Sequence, residues 1–566
     1  MVISMRQLLF TISLFSFSYF FLGVFAVQSA SLEYSTFIST DPVSNSFIIR
    51  YGGLEEKDKH YYSCSIQNLF CTATSTPSES VSSSGNYYGV IKDTERVIFR
   101  GHSLDGKFVY YYQYADTKHP YRWYVVINTE TGKTYAKKTA VPFLDLMTEQ
   151  NRLFSISPDS ETLFYIDDRE GTPAIYRVPL ANITKSSMTG ERITKSTYTV
   201  ADFIAYDKST VYFIANRKDP LTWSLYRYDT TADTLQLIAD NVSYSDPIKK
   251  VGANIVFLQM KGNAVVPVVY DPTKNTLGYF LLPQTPGISS INNSYKVVRY
   301  GNLSGTILYP KADTGNAKVP RPMIVWLHGG PYRQSSLTIH SFFSYGVYDW
   351  ILNEARDNGA VVLKLDYSGS YGYGSDFISA LKANIGKQDV KDVVFALGKA
   401  KEDISKDFSV SGVYLVGNSY GGYLAVRSLT AYPEKFAGAF SINGVMDWTT
   451  LLEDLKTSLF NIYFGGTPNR KNQNLFDKAD MLGRYTSILP GQKITLVQAE
   501  KDNTINPAQA DILKYSWKPN GVEVNVISIP EEDHVFHKNS SITNICGSLL
   551  NFMSMTATSA ERCAFK

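Results

Sequence analysis

A chain of 566 residues is too long for one hydrophobic core and calls for two or more domains. Its 55 Lys and Arg nearly balance 52 Asp and Glu, the net charge is +3, and no block of like charge appears, which argues against a nucleic-acid or acidic partner. The seven histidines and four cysteines show no metal-type spacing, so neither a metal nor a cofactor is expected.

At the N-terminus, Arg6 precedes a nearly uncharged apolar run from Leu8 to Val27, with small residues at Ala26, Ser29 and Ala30. Residues 1–30 read as a cleaved secretory signal, and the protein as exported, secreted or periplasmic. The run approaches the ~20 residues that span a bilayer, so a membrane anchor over residues 8–27 stays open. Thr11, Ser13, Ser16 and Ser18 weigh against the anchor. Four cysteines suit an exported protein and fall in two local couples, Cys64 with Cys71 and Cys546 with Cys563. Two disulfides are the natural reading, although closeness in sequence is only a preference among the connectivities that four cysteines allow.

From Ser31 to about Gln284, short runs rich in Tyr, Phe, Val and Ile are divided by Asp, Gly, Asn and Pro turns, and no long amphipathic helix appears. The 40 Tyr and 31 Phe of the chain favour strands. Similar units recur at Asn45 to Ile49, Asp105 to Tyr110, Ser157 to Tyr165, Thr210 to Phe213 and Asn254 to Phe257. Two are followed by strands ending in Tyr-Asp, Leu225 to Asp229 and Val268 to Asp271. Their spacing of roughly 45 to 60 residues is near that of a four-stranded blade, so residues 31–290 read as a β-propeller, ahead of a pair of β-sandwiches. A Ser-rich loop from Thr76 to Gly85 blurs the register and hides the blade number.

From about Ile291 apolar strands alternate with segments of helical length, the pattern of a doubly wound, mostly parallel α/β domain over residues 291–566. The candidate strands are Met323 to Leu327, Ala360 to Leu365, Val413 to Val416, Ala439 to Ile442, Ile494 to Gln498 and Val524 to Ile529. Gln388 to Asp403 reads as a helix with Val390, Val393, Val394, Leu397 and Ala400 on one face.

Within this domain, Gly417-Asn418-Ser419-Tyr420-Gly421-Gly422 follows the third of these strands and opens a helix, the setting of a nucleophile elbow. A serine hydroxyl is a poor nucleophile without a base to take its proton and an acid to orient that base. Downstream of Ser419 only His534 and His537 occur. His534, in the loop after Ile529 and Pro530, is the candidate base, with His537 the runner-up. Asp502, just past the strand ending at Gln498, is the candidate acid, with Glu500 and Asp511 as rivals. A tetrahedral intermediate needs oxyanion donors. The backbone N–H of Tyr420 and that of Gly330, in the turn His328-Gly329-Gly330-Pro331, are the candidates.

With these motifs and Asp366-Tyr367-Ser368-Gly369-Ser370-Tyr371-Gly372-Tyr373-Gly374, the chain resembles the prolyl oligopeptidase family of serine peptidases, notably its acylaminoacyl-peptidase and dipeptidyl-peptidase branches. The resemblance spans residues 291–566, and the propeller in front agrees with the family architecture. It implies that the propeller covers the active site and admits short peptides. The sequence departs from the family at three places. Ser368 stands where members usually carry Arg, and Gln498-Ala499 where many have His-Gly. Thr504 stands where some branches place Arg or Asn for the substrate backbone. Glu55-Glu56, the adjacent acidic pair that a dipeptidyl peptidase would need in its propeller, reads as a solvated turn, as does Asp167-Asp168.

The expected function is therefore an exported serine peptidase acting on short peptides through an acyl-enzyme. An esterase using the same Ser, Asp and His remains an alternative, as does an inactive hydrolase whose propeller binds partners. Oligomeric state is left open, and no membrane association is expected unless the N-terminal segment is retained.

Overall fold

A computed structural model describes residues 34–41, 45–52, 59–74, 97–103, 106–113, 123–138, 154–183, 189–195, 197–244, 247–261, 264–280, 295–310, 319–335, 337, 343–454, 460–555 and 563. The signal segment, Glu55-Glu56, the Thr76 to Gly85 loop and the expected domain boundary at 290/291 lie outside these residues. No helix among the described residues is long and apolar enough to cross a membrane.

The N-terminal region forms five four-stranded antiparallel sheets among the described residues, each a meander of consecutive strands. The five recurrent apolar units become the second strands of these five sheets: Ser46–Gly52, Phe108–Gln113, Thr162–Asp167, Thr210–Asp219 and Asn254–Lys261. The runs ending in Tyr-Asp become third strands, Thr222–Asp229 and Ala264–Asp271. A second or third strand is paired on both sides, and packing between sheets buries both its faces, which explains the nearly unbroken apolar text. The first sheet packs against the fifth: the Phe47 ring lies 5.0 Å from that of Phe280, edge to face. Beneath that contact, Cys64 and Cys71 face each other on paired strands and are joined by a disulfide within a core that includes Val251, Val256 and Val269.

The C-terminal region is built on one eight-stranded sheet. Its strands are β1 (Tyr295–Tyr300), β2 (Leu303–Leu308), β3 (Arg321–Leu327), β4 (Val361–Asp366), β5 (Val410–Asn418), β6 (Gly438–Ile442), β7 (Lys493–Ala499) and β8 (Val524–Ile529), in the spatial order 1-2-4-3-5-6-7-8. The β1/β2 hairpin and the β2/β4 pair are antiparallel and the remaining neighbours parallel. Side chains of β3 alternate between two cores. Met323, Val325 and Leu327 join the large core that also holds Leu424 and Leu429, while Ile324 and Trp326 join a second one with Val347, Ile351 and Leu549. These two cores lie on opposite faces of the sheet because successive strand residues point to opposite sides. The helices that cover the faces are α1 (Phe343–Asp357), α2 (Gln388–Ile404), α3 (Tyr420–Ala431), α4 (Ala508–Trp517) and α5 (Asn539–Phe552). A disulfide joins Cys546 of α5 to Cys563.

The two regions meet along the glycine-rich stretch from Asp366 to Gly374. The Trp223 indole N–H donates to Gln334 Oε1 at 2.8 Å and its ring stacks on Tyr371 at 5.8 Å. Asn216 Nδ2 donates to the Gly372 carbonyl at 2.7 Å, and the Ser375 N–H to the Gly171 carbonyl at 2.7 Å. Asp167 and Asp168, expected in a solvated turn, are instead buried at 4% and 5% exposure. Arg169 of the same region pairs with Asp167 at 2.6 Å, and Ser375 Oγ of the other region lies 3.3 Å from Asp168, so a local ion pair and a contact between regions replace solvent.

Candidate active site

Strand β3 has β4 on one side and β5 on the other, so the chain reverses its direction of travel across the sheet there. Crevices form beyond the carboxyl ends of strands at such a switch point. Ser419 directly follows β5 at this place with φ 54° and ψ −120°, a left-handed backbone that a serine rarely adopts. The conformation is held by the Ser419 N–H, which donates to the Ile442 carbonyl at 2.8 Å. It also demands its glycines. A Cβ on Gly417 would strike the Gly421 carbonyl, and one on Gly421 would strike the Leu327 carbonyl. The close approach of β5, α3 and the turn after β3 is therefore possible only with hydrogen at these positions.

The structure brings Ser419, His534 and Asp502 together, although 115 and 32 residues separate the successive pairs. His534 Nε2 lies 3.0 Å from Ser419 Oγ, and His534 Nδ1 lies 2.8 Å from Asp502 Oδ2. A carboxylate accepts only, so Nδ1 carries the proton and Nε2 is left as the acceptor for the serine hydroxyl. The Asp502 side chain is fully buried, while the His534 side chain is 17% exposed. Asp502 Oδ1 takes the N–H groups of Thr504 and Ile505, each at 2.8 Å. Its carboxylate is thus fixed by its own loop. Gln498 adds a long contact of 3.4 Å to Oδ2.

The rivals lie elsewhere. Glu500 accepts a hydrogen bond from Ser528 on an exposed surface, and Asp511 is exposed on α4. His537 is exposed and bonds Asp533 at 3.2 Å.

The turn after β3 packs against the elbow. A Cβ on Gly329 would come within 3.1 Å of Ser419 Cβ, and Gly330, with φ +40°, would meet the ring of Tyr332 at 3.1 Å. Behind the turn, fully buried His328 stacks on Tyr367 at 4.5 Å and bonds Ser370 Oγ through Nε2 at 2.9 Å. Burial pushes the His328 imidazole down to about 4, and it pushes the buried Asp366 carboxyl up to about 7. Where the resemblance leads one to expect Arg, the N–H of Ser368 donates to Asp392 at 2.8 Å. Among the described residues no cation forms an ion pair with Asp392, and burial raises its carboxyl above the usual range.

Two supporting residues escaped the sequence reading. The Tyr420 hydroxyl donates to Asp389 Oδ2 at 2.5 Å, and burial pushes this carboxyl up to about 6. Asp389 sits in the first turn of α2, where its neighbours Val390 and Val393 marked the buried face but gave no sign of a polar tie. Asn443 closes the site from behind, donating through Nδ2 to the His534 carbonyl at 3.2 Å and accepting from the Ala499 N–H at 2.8 Å. It fastens the loops that carry His534 and Asp502. The Asn443-Gly444 pair after β6 was the available signal, a turn dipeptide at the carboxyl end of a central strand.

Residues 346–559 match the prolyl oligopeptidase family, and residues 103–248 match the dipeptidyl peptidase IV N-terminal region. The acylamino-acid-releasing enzyme of Homo sapiens is 28% identical over 244 residues, 42% of this chain and 32% of that enzyme. Dipeptidyl aminopeptidase BIII of Pseudoxanthomonas mexicana is 23% identical over 450 residues, 75% of this chain and 62% of that protein. The aligned segments thus span about a third to three-fifths of these relatives' lengths. In fold, a puromycin-hydrolyzing peptidase of Mycobacterium tuberculosis superposes with a TM-score of 0.65 at 15% identity, covering 95% of this chain and 80% of that one. Dipeptidyl peptidase 4 of Porphyromonas gingivalis gives 0.64 at 12% identity, covering 91% and 74%. The hydrolase domain is thus that of the prolyl oligopeptidase family of serine peptidases, and part of the propeller region in front of it matches the dipeptidyl peptidase IV N-terminal region.

Proposed function

We propose that the protein is an exported serine peptidase that hydrolyses short peptides through an acyl-enzyme. The observation that carries this reading is the unbroken relay from Ser419 Oγ to His534 to Asp502, with links of 3.0 and 2.8 Å.

In the proposed mechanism Ser419 Oγ attacks the scissile carbonyl while its proton passes to His534 Nε2. Asp502 keeps the Nδ1–H tautomer and stabilises the imidazolium that forms. The backbone N–H groups of Tyr420 and Gly330 receive the negative charge that develops on the carbonyl oxygen. His534 then returns the proton to the leaving amine, and the C–N bond breaks. Water, deprotonated by the same imidazole, attacks the ester carbonyl and frees Ser419 with its proton restored. Two disulfides support an exported protein, since such bonds persist in oxidising compartments. The propeller region against the hydrolase domain favours short substrates over folded proteins.

A fluorophosphonate probe tests the assignment. Labelling should map to Ser419 and vanish in Ser419→Ala, with loss of turnover on a peptide library. Labelling that survives this substitution defeats the reading, and turnover of acyl esters without any peptide cleavage replaces it with the esterase reading.

A further inference from the structure

The hydrolase domain holds a cavity of about 140 Å³ whose lining includes none of Ser419, His534 and Asp502. Its inner wall is apolar, with Ile385, Phe464 and Leu475 among the lining side chains. Its rim is cationic: Lys387, Arg427 and Lys478 line it, and no carboxylate does. A fourth cation, Arg484, stands just behind, donating through its guanidinium to the carbonyls of Lys478 and Asp480. Burial holds the Arg484 guanidinium below its usual range, and the charge of Arg427 adds to the effect.

None of these four side chains enters an ion pair among the described residues. The buried Nε of Arg427 also finds no hydrogen-bond partner. Cations drawn together repel one another where no carboxylate pairs with them directly, and a buried guanidinium N–H without an acceptor costs free energy. Both costs fall when an anion enters. Asp480 acts on Arg484 but its carboxylate accepts from the Trp448 N–H and the Thr449 hydroxyl, and Asp389 is engaged by Tyr420 and by the N–H of Gly386, a residue of the cavity wall.

We propose that this cavity binds a small amphiphilic carboxylate, an alkanoate or arylacetate, with its apolar tail against Ile385, Phe464 and Leu475 and its charge at Arg427, Lys387 and Lys478. A fully hydrated inorganic anion fits the apolar wall poorly, and a neutral ligand leaves the cations uncompensated.

Isothermal titration calorimetry with phenylacetate and hexanoate, against phenylacetamide and hexanol as neutral matches, tests the proposal on the full chain. The expected result is saturable binding of the acids, at least tenfold tighter than that of their neutral matches and weakened by added salt. Lys478→Glu, at an exposed position, should weaken the acids by about tenfold or more. Leu475→Trp, which fills the cavity, should abolish binding, and melting followed by circular dichroism verifies that each variant is folded. The proposal is overturned by neutral ligands binding as well as the acids, by affinity unchanged in folded Lys478→Glu, by binding that survives Leu475→Trp, or by no saturable binding of either acid.

Discussion

Asp389 and Tyr420 meet through a 2.5 Å hydrogen bond that ties the first turn of α2 to the residue directly after the elbow serine. Asp389 also accepts the N–H groups of Gly386 and Val390. The bond therefore anchors the Tyr420 side chain, and with it the backbone N–H that we assign to the oxyanion. Tyr420→Phe removes the hydroxyl and leaves a buried carboxylate short of one donor, at a cost of about 1–3 kcal/mol. Denaturant unfolding should show this loss. If the donor shifts as proposed, kcat falls while KM changes little, because the oxyanion exists only in the transition state. A raised KM with kcat intact would remove the role.

Asp502→Asn should lower kcat by about four orders of magnitude, since an amide no longer enforces the His534 tautomer. The fold should survive, because an amide oxygen can still accept the Thr504 and Ile505 N–H groups. His537→Ala is the matched control, its side chain being exposed and, among the described residues, bonded to Asp533 alone. Steady-state kinetics on any hydrolysed substrate separates the two, and an active Asp502→Asn enzyme would contradict the assignment.

His328 and Asp366 make opposite contributions to the pH dependence of stability. Buried His328 stays neutral down to about 4, against an ordinary value of 6.5, so by itself it makes stability fall as pH drops through that interval. Buried Asp366 keeps its proton up to about 7, against an ordinary 3.8, so by itself it makes stability fall as pH rises from 3.8 to about 7. Between pH 4 and 6.5 the folded pair and the unfolded pair each hold one proton, and the two slopes cancel. Asp366→Asn should expose the histidine term: relative to the unsubstituted protein, the variant loses stability as pH falls from 6.5 towards 4. Urea unfolding at several pH values measures this, and parallel curves for the two proteins would refute it.

The disulfide between Cys546 and Cys563 closes a loop with a sequence separation of 17. The chain entropy it removes from the unfolded state is worth about 3 kcal/mol. Replacing both cysteines with Ser should lower the unfolding free energy by that order, with the melt of the reduced unsubstituted protein shifted in the same direction. Equal stability of the oxidised protein and the double variant would show that the bridge is energetically idle.

The sequence alone determined the two-part architecture, the five recurrent apolar units that serve as strands in the N-terminal sheets, and six of the eight strands of the C-terminal sheet. Local patterns carry such information: period-two alternation, unbroken apolar runs and turn residues act within a few positions of themselves. The β1/β2 hairpin escaped because Tyr295–Tyr300, with Lys296 and Arg299 interspersed, forms a half-exposed edge that lacks the apolar run. The elbow was legible for the same local reason, since Gly417, Ser419 and Gly421 are neighbours in the chain.

Tertiary structure decided which distant groups meet. Glu500, Asp502 and Asp511 have the same chemistry on paper, and only the direction of the loop after β7 sets Asp502 at 2.8 Å from His534. The contact of Asp168 with Ser375 likewise joins groups more than 200 positions apart, which no window of sequence contains. The bond from Tyr420 to Asp389 and the gathering of cations around Arg427 belong to the same class. Hydrogen bonding and charge act through space over a few ångströms, so their partners are fixed by packing and not by order along the chain.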